Sequence, residues 1–182
     1  MFHSNTERLI DYWRASKGAG GAPTRASIDP CAFPSLMPQL FIVGRKGPGA
    51  FAFRLVGGLV DDLHGGKLGG TDPMTLWADP YRTSLQLALE AIRRRPEPLV
   101  VTAEGRAGGG QTLGLEVMFA PLTGPGGDID RFLGLYQPKT LVAALLGQPI
   151  RALSMRAAAT PRGTDGESPR LRLASLNGRQ IA

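Results

Sequence analysis

Thr112-Leu113-Gly114-Leu115-Glu116-Val117-Met118-Phe119-Ala120 places Leu113, Leu115, Val117 and Phe119 at every second position, with Thr112, Gly114, Glu116 and Met118 between them. Successive side chains of a strand point to opposite faces, so this spacing predicts a strand with one apolar and one mixed face. A mixed face belongs to an antiparallel sheet, because strands of parallel sheets are buried on both sides. Before it, Leu99-Val100-Val101-Thr102-Ala103-Glu104 reads as a second strand, joined through the glycine-rich connection Gly105 to Gly110. After it, Gly124-Pro125-Gly126-Gly127-Asp128 forms a loop and Arg131-Phe132-Leu133-Gly134-Leu135-Tyr136 a third strand.

Further upstream, Leu85, Ala88, Leu89 and Ile92 recur at i, i+3, i+4 and i+7, the spacing of an amphipathic helix. Asp79-Pro80 supplies its N-cap and first-turn proline, Arg93-Arg94-Arg95 suits the C-terminal end of the helix dipole, and Pro96 stops it. Gln39 to Gly44 and Ala50 to Val56, the latter alternating Phe51, Phe53 and Leu55, flank Lys46-Gly47-Pro48-Gly49 and predict an antiparallel hairpin. Gly57 to Gly66 carries Leu59, Val60 and Leu63, a short helix bounded by glycines. At the start of the chain, Ser4-Asn5-Thr6-Glu7 fits a capping box. Leu9, Ile10 and Trp13 follow as one apolar stripe, ended by Gly18, Gly20 and Gly21. These elements predict an α+β fold: a five-stranded antiparallel sheet with helices on one face, an N-terminal helix and a C-terminal extension. The expected divisions are 1–22 for helix and hinge, 23–138 for the sheet domain and 139–182 for a basic extension, partly ordered at best.

Composition narrows the function classes. The 182 residues include 25 Gly and 15 Pro, more than the roughly 12% average for the pair, yet 42% are hydrophobic, enough for a core. No run of about 18 apolar residues spans a membrane, and the N-terminus lacks the basic and apolar regions of a signal peptide, so a cytoplasmic location without membrane insertion is expected. One cysteine, Cys31, excludes internal disulfides and multi-thiolate metal sites, and two histidines, His3 and His64, leave little scope for metal chemistry. The net charge of +6 is uneven. Residues 1–140 hold fifteen Lys and Arg against thirteen Asp and Glu, whereas 141–182 hold six Arg against two carboxylates. Such a tail attracts nucleic acid or other anionic surfaces, although its arginines are scattered, as in a solvated extension.

The arrangement is that of the PAS fold, and the chain resembles the stand-alone PAS-domain family widespread in alphaproteobacteria, long classed as a domain of unknown function. Tyr12-Trp13-Arg14, Pro23 with Arg25, Ile28-Asp29-Pro30 and Leu40-Phe41-Ile42 carry the resemblance, followed by Phe53-Arg54-Leu55-Val56-Gly57, Gly66-Lys67-Leu68 with Gly70, and Leu76-Trp77. It covers about residues 5–138 and departs from the pattern at Gly58, where a small hydroxyl residue is expected. The resemblance implies signal transduction.

Individual residues suggest sharper chemistry. His64 could serve as a haem ligand, but a histidine closing a short helix needs no cofactor. Cys31 lies before the first strand, without the Asn, Cys, Arg, Phe, Leu and Gln cluster of flavin-linked light sensors. Gly105 to Gly110 has no Gly-Lys-Ser/Thr and leads into a strand, so a hairpin loop is favoured over a phosphate cradle. Asp61 and Asp62 are adjacent in a helix and therefore face apart. There is no Gly-x-Ser-x-Gly, no His-Glu-x-x-His and no Ser/His/Asp set, so no enzyme, cofactor or metal is expected. The reading is a non-catalytic sensory or regulatory module acting through small-ligand binding, protein–protein contact, or both. Phe51, Phe53, Leu63, Trp77, Tyr81, Leu85, Leu115 and Val117 are expected to line a concavity for a small apolar ligand. Leu9, Ile10 and Trp13 are the expected homodimer helix, and an unidentified signalling protein is the expected partner. The less favoured alternative is a nucleic-acid-associated protein that binds through the arginine-bearing tail.

Overall fold

The computed structural model describes residues 1–18 and 21–161. Helix α1 (Ser4–Ala15) leads through three short 3-10 turns to strands β1 (Leu40–Gly47) and β2 (Ala50–Val56). Helices α2 (Gly58–His64) and α3 (Asp79–Arg94) follow, and then strands β3 (Leu99–Ala107), β4 (Thr112–Thr123), β5 (Ile129–Pro138) and β6 (Ile150–Ala159). All pairings are antiparallel, in the order β2-β1-β5-β4-β3-β6. The fold is α+β, with six strands where the sequence suggests five. β6 comes from the basic extension: Leu153 and Met155 turn inward opposite Gly105 and Ala103, but alanine and arginine neighbours dilute the apolar alternation.

Helices α2 and α3 lie over one face of the sheet. Their side of β1, β4 and β5 carries Phe41, Val117, Phe119 and Tyr136, and Phe41 meets Phe53, Phe119 and Tyr136 edge-on. Gly134 stands opposite Phe41, where a Cβ would run into the Phe41 ring. The other face is covered as well. Trp13 Nε1 of α1 donates to the Pro121 carbonyl at 2.7 Å, and Asn5 Nδ2 donates to Gln137 Oε1 at 3.0 Å. Coverage on both sides explains why β4 is buried almost throughout, although its sequence alternates. Met118, Ala120 and Leu122 form the apolar part of this second face.

Leu9, Ile10 and Trp13 belong to the same hydrophobic core as the sheet, and so do Leu145, Ile150 and Leu153. The stripe expected to join two copies is thus covered by its own chain, with Leu9 and Trp13 both 0% exposed. The caps also differ from expectation. His3, not Ser4, caps α1, accepting from the Asn5 N–H, while Glu7 accepts from the Phe2 N–H. Ala78, with no side-chain cap, precedes α3, and Asp79 falls inside the helix.

Among the described residues no helix is long and apolar enough to cross a membrane.

Candidate functional site

The expected ligand-lining residues are brought together, and they are packed. Phe51, Phe53, Leu63, Trp77, Leu85, Leu115 and Val117 are buried members of the core, and Tyr81 is half-buried at its margin. The segment before α3 is fixed to the last strand, because the Ala78 N–H donates to the Leu153 carbonyl at 2.9 Å. Trp77 beside it is buried in the core.

Two polar devices secure this side of the fold. His64 Nε2 lies 2.8 Å from the Tyr136 hydroxyl, with the two rings edge-on. Burial lowers the His64 pKa to about 4, partly offset by a hydrogen bond to the Ile150 backbone. Neutral His64 gives its one proton to Ile150 and accepts from Tyr136, whose hydroxyl burial holds in the protonated form. Both ring nitrogens are therefore engaged in structure. The second device is Asp61, whose carboxylate accepts from the Leu68 N–H at 3.0 Å and from Lys67 Nζ at 2.9 Å. Burial by itself raises this carboxyl, but the Lys67 and Leu68 hydrogen bonds outweigh it and hold the group below the usual carboxylate range. Asp61 thus clasps the Lys67-Leu68 turn, a role that adjacency to Asp62 does not reveal. Among the described residues no cluster of three or more His, Cys, Asp or Glu is placed to hold a metal ion.

The opposite face has a cleft of about 380 Å³ lined by Arg25, Ile42, Gly44, Arg45, Arg54, Leu55, Asp130 and Arg131. Its shape depends on a β-bulge. Ile42 pairs with Leu55 but Val43 with Phe53, so Arg54 is an extra residue. The bulge sends Leu55 to the cleft side, away from Phe51 and Phe53, although simple alternation places the three together. Arg54 lies across Gly44, where a Cβ would come within 2.7 Å of its Nε. Arg131 and Asp130 form a two-point pair, Nε–Oδ1 at 2.8 Å and Nη2–Oδ2 at 2.9 Å. The Arg131 hydrogen bonds, with a further contribution from the Arg54 charge, hold the Asp130 carboxyl below its ordinary range. Arg45 is held by Glu90 of α3 at 3.2 Å. A shallow apolar groove that includes Ile28, Phe33, Met37 and Leu133 adjoins this cleft and shares Arg25, Ile42 and Leu55 with it.

Cys31 is exposed on the 3-10 turn Pro30–Ala32, where its N–H donates to Asp29 Oδ1 at 2.9 Å. Arg93 pairs with Glu90 at 2.9 Å, which explains one member of the arginine triplet as a helix-end ion pair.

A family model described as a PAS domain matches residues 1–137, and the chain belongs to that family. Several solved structures are similar in outline. A light-oxygen-voltage domain studied with a flavin analogue is 16% identical with a TM-score of 0.48, over 64% of this chain and 87% of its own. The dark-state LOV domain of the blue-light photoreceptor Aureochrome1 is 16% identical with a TM-score of 0.47, over 65% of this chain and 91% of its own. The Rhodobacter sphaeroides LOV protein is 13% identical with a TM-score of 0.47, over 65% and 72% respectively. No curated protein matches the chain.

Proposed function

We propose that the chain is a non-catalytic PAS module of bacterial signal transduction that works in the cytoplasm as a homodimer and passes its signal to a protein partner by surface contact. PAS-family membership supports the sensory class. The observation that carries contact as the output lies between β5 and β6. Leu141 is 81% and Leu146 72% exposed, and they bracket the 3-10 turn Val142–Leu145. Leu146 also has φ +52°, the one positive φ among the described non-glycine residues. An L-residue there costs about 1–2 kcal/mol. A leucine that is both strained and presented to water is poorly explained by the fold of one chain, whereas a second surface seated on it accounts for both features. An apolar ligand in the interior is the less supported mode, since it must displace packed side chains.

Light scattering on wild type and on Leu146→Gly tests this reading. Glycine relieves the backbone and removes the apolar side chain, so the variant is expected to fold with a stability within about 1 kcal/mol of wild type but to run as a monomer. A Leu146→Gly plus Leu141→Asp chain that dimerises as wild type does would refute the assigned surface.

The nucleic-acid reading depends mainly on arginines at 162–182, outside the described residues. Of the extension's described arginines, Arg156 pairs with Glu104 at 2.8 Å.

A further inference from the structure

We infer that the arginine-lined cleft between β1, β2 and the start of β5 binds a small molecule carrying at least two linked phosphate groups. Three arginines, Arg25, Arg54 and Arg131, line it with one carboxylate, Asp130, and a fourth, Arg45, stands at its edge with its guanidinium held by Glu90 of α3. The described part of the fold satisfies these groups unequally. Asp130 takes one edge of Arg131, and Glu90 takes the Nε of Arg45. The hydrogen bond of Arg25 goes to a neutral acceptor, the Ile28 carbonyl, at 3.4 Å. Arg54 has no carboxylate partner among the described residues and rests on Gly44, the position on β1 that leaves room for its side chain. Asp130 acts as a brace for Arg131, not as a counterion for the whole group.

Like charges brought together in a concavity repel, and water screens them only in part. With Asp130 on Arg131 and Glu90 on Arg45, the excess around this cleft is two positive charges, which a dianion neutralises and a monoanion does not. Guanidinium forks match phosphate oxygens in two-point contacts, which favours phosphate over a spherical anion. At about 380 Å³ the cleft lies at the lower end of small-molecule sites of roughly 300–1,000 Å³ and exceeds the needs of a single phosphate. Ile42 and Leu55 supply its apolar lining. A docked protein needs about 800 Å² on each partner, far more than this depression provides. The site does not depend on the dimer surface at Leu141 and Leu146, and either proposal can fail alone.

Calorimetric titration of the full chain with inorganic pyrophosphate, phosphate and citrate at low salt tests the inference, with backbone NMR shifts to locate the site. Saturable pyrophosphate binding at least tenfold tighter than that of phosphate or citrate is expected, with shifts centred on Gly44, Arg54 and Asp130. Arg54→Gln and Arg25→Gln should each weaken it at least tenfold, whereas Arg106→Gln, an arginine paired with Glu104 away from the cleft, should leave it unchanged. Gly44→Ala, which displaces Arg54 without removing charge, should weaken it several-fold. If Arg54→Gln lowers the melting temperature, Arg25→Gln on its surface turn decides the matter. Absence of saturable binding at millimolar pyrophosphate would overturn the inference. Equal loss in Arg106→Gln, or shifts confined to residues 162–182, would overturn it too.

Discussion

Asp61 shows how one side chain can organise a stretch of chain with no regular structure. Its carboxylate ties the end of α2 to Lys67 and Leu68, so Asp61→Ala leaves the buried Leu68 N–H without a partner. We expect a loss of about 1–3 kcal/mol by urea denaturation. Lys67→Ala, at the exposed end of the same pair, should leave the urea midpoint almost unchanged, because water screens that charge. His64 gives a pH signature. Its pKa is about 4 in the folded chain and near 6.5 when unfolded, so between these values the unfolded state binds the extra proton. Stability therefore falls as pH drops from 6.5 to 4, by roughly 2–3 kcal/mol, and the fall should flatten in His64→Gln. The depressed carboxyls of Asp61, Glu90 and Asp130 act in the same sense but in a separate, lower window. Their stabilisation is present above pH 4 and is lost as pH falls further. Unfolding curves at half-unit pH intervals separate the two groups. The sequence showed His64 as a helix-end residue. It could not show Tyr136 above it, 72 positions away.

Elements were legible in proportion to their periodicity. β4 and α3 announced themselves through spacings of two and of three to four residues, and both appear where those spacings begin and end, to within a few positions. What one-dimensional spacing misses is what lies against each face. Met118 read as part of a mixed face because its neighbours Glu116 and Gly114 are polar or small. The structure covers that face with α1, and Glu116 accepts from the His3 N–H at 3.0 and 3.2 Å. The bulge at Arg54 was equally invisible, since register depends on the partner strand and not on the bulged strand alone. For α1 the consequence is testable: Trp13→Ala should destabilise the chain itself by about 3–5 kcal/mol. A variant with unchanged unfolding and an altered oligomeric state would restore the helix as a dimer element. β6 should be equally integral. Leu153→Asp places a charge in a fully buried position and is expected to abolish cooperative thermal unfolding in circular dichroism.

At the scale of the whole molecule, the many glycines and prolines act as punctuation. Gly49, Gly65, Gly110 and Gly127 all take positive φ where strands or helices end. A six-stranded sheet with both faces covered needs short connections, and it leaves its functional features at the surface. One is the cleft of arginines on the side of α1, and another is the exposed leucine pair before β6. Native mass spectrometry of the full-length chain at tens of micromolar tests most directly whether surface contact is the working mode. A species at twice the 19.3 kDa of one chain, with no apolar small molecule retained, is the expected result. A monomer carrying a tightly held apolar ligand would contradict it.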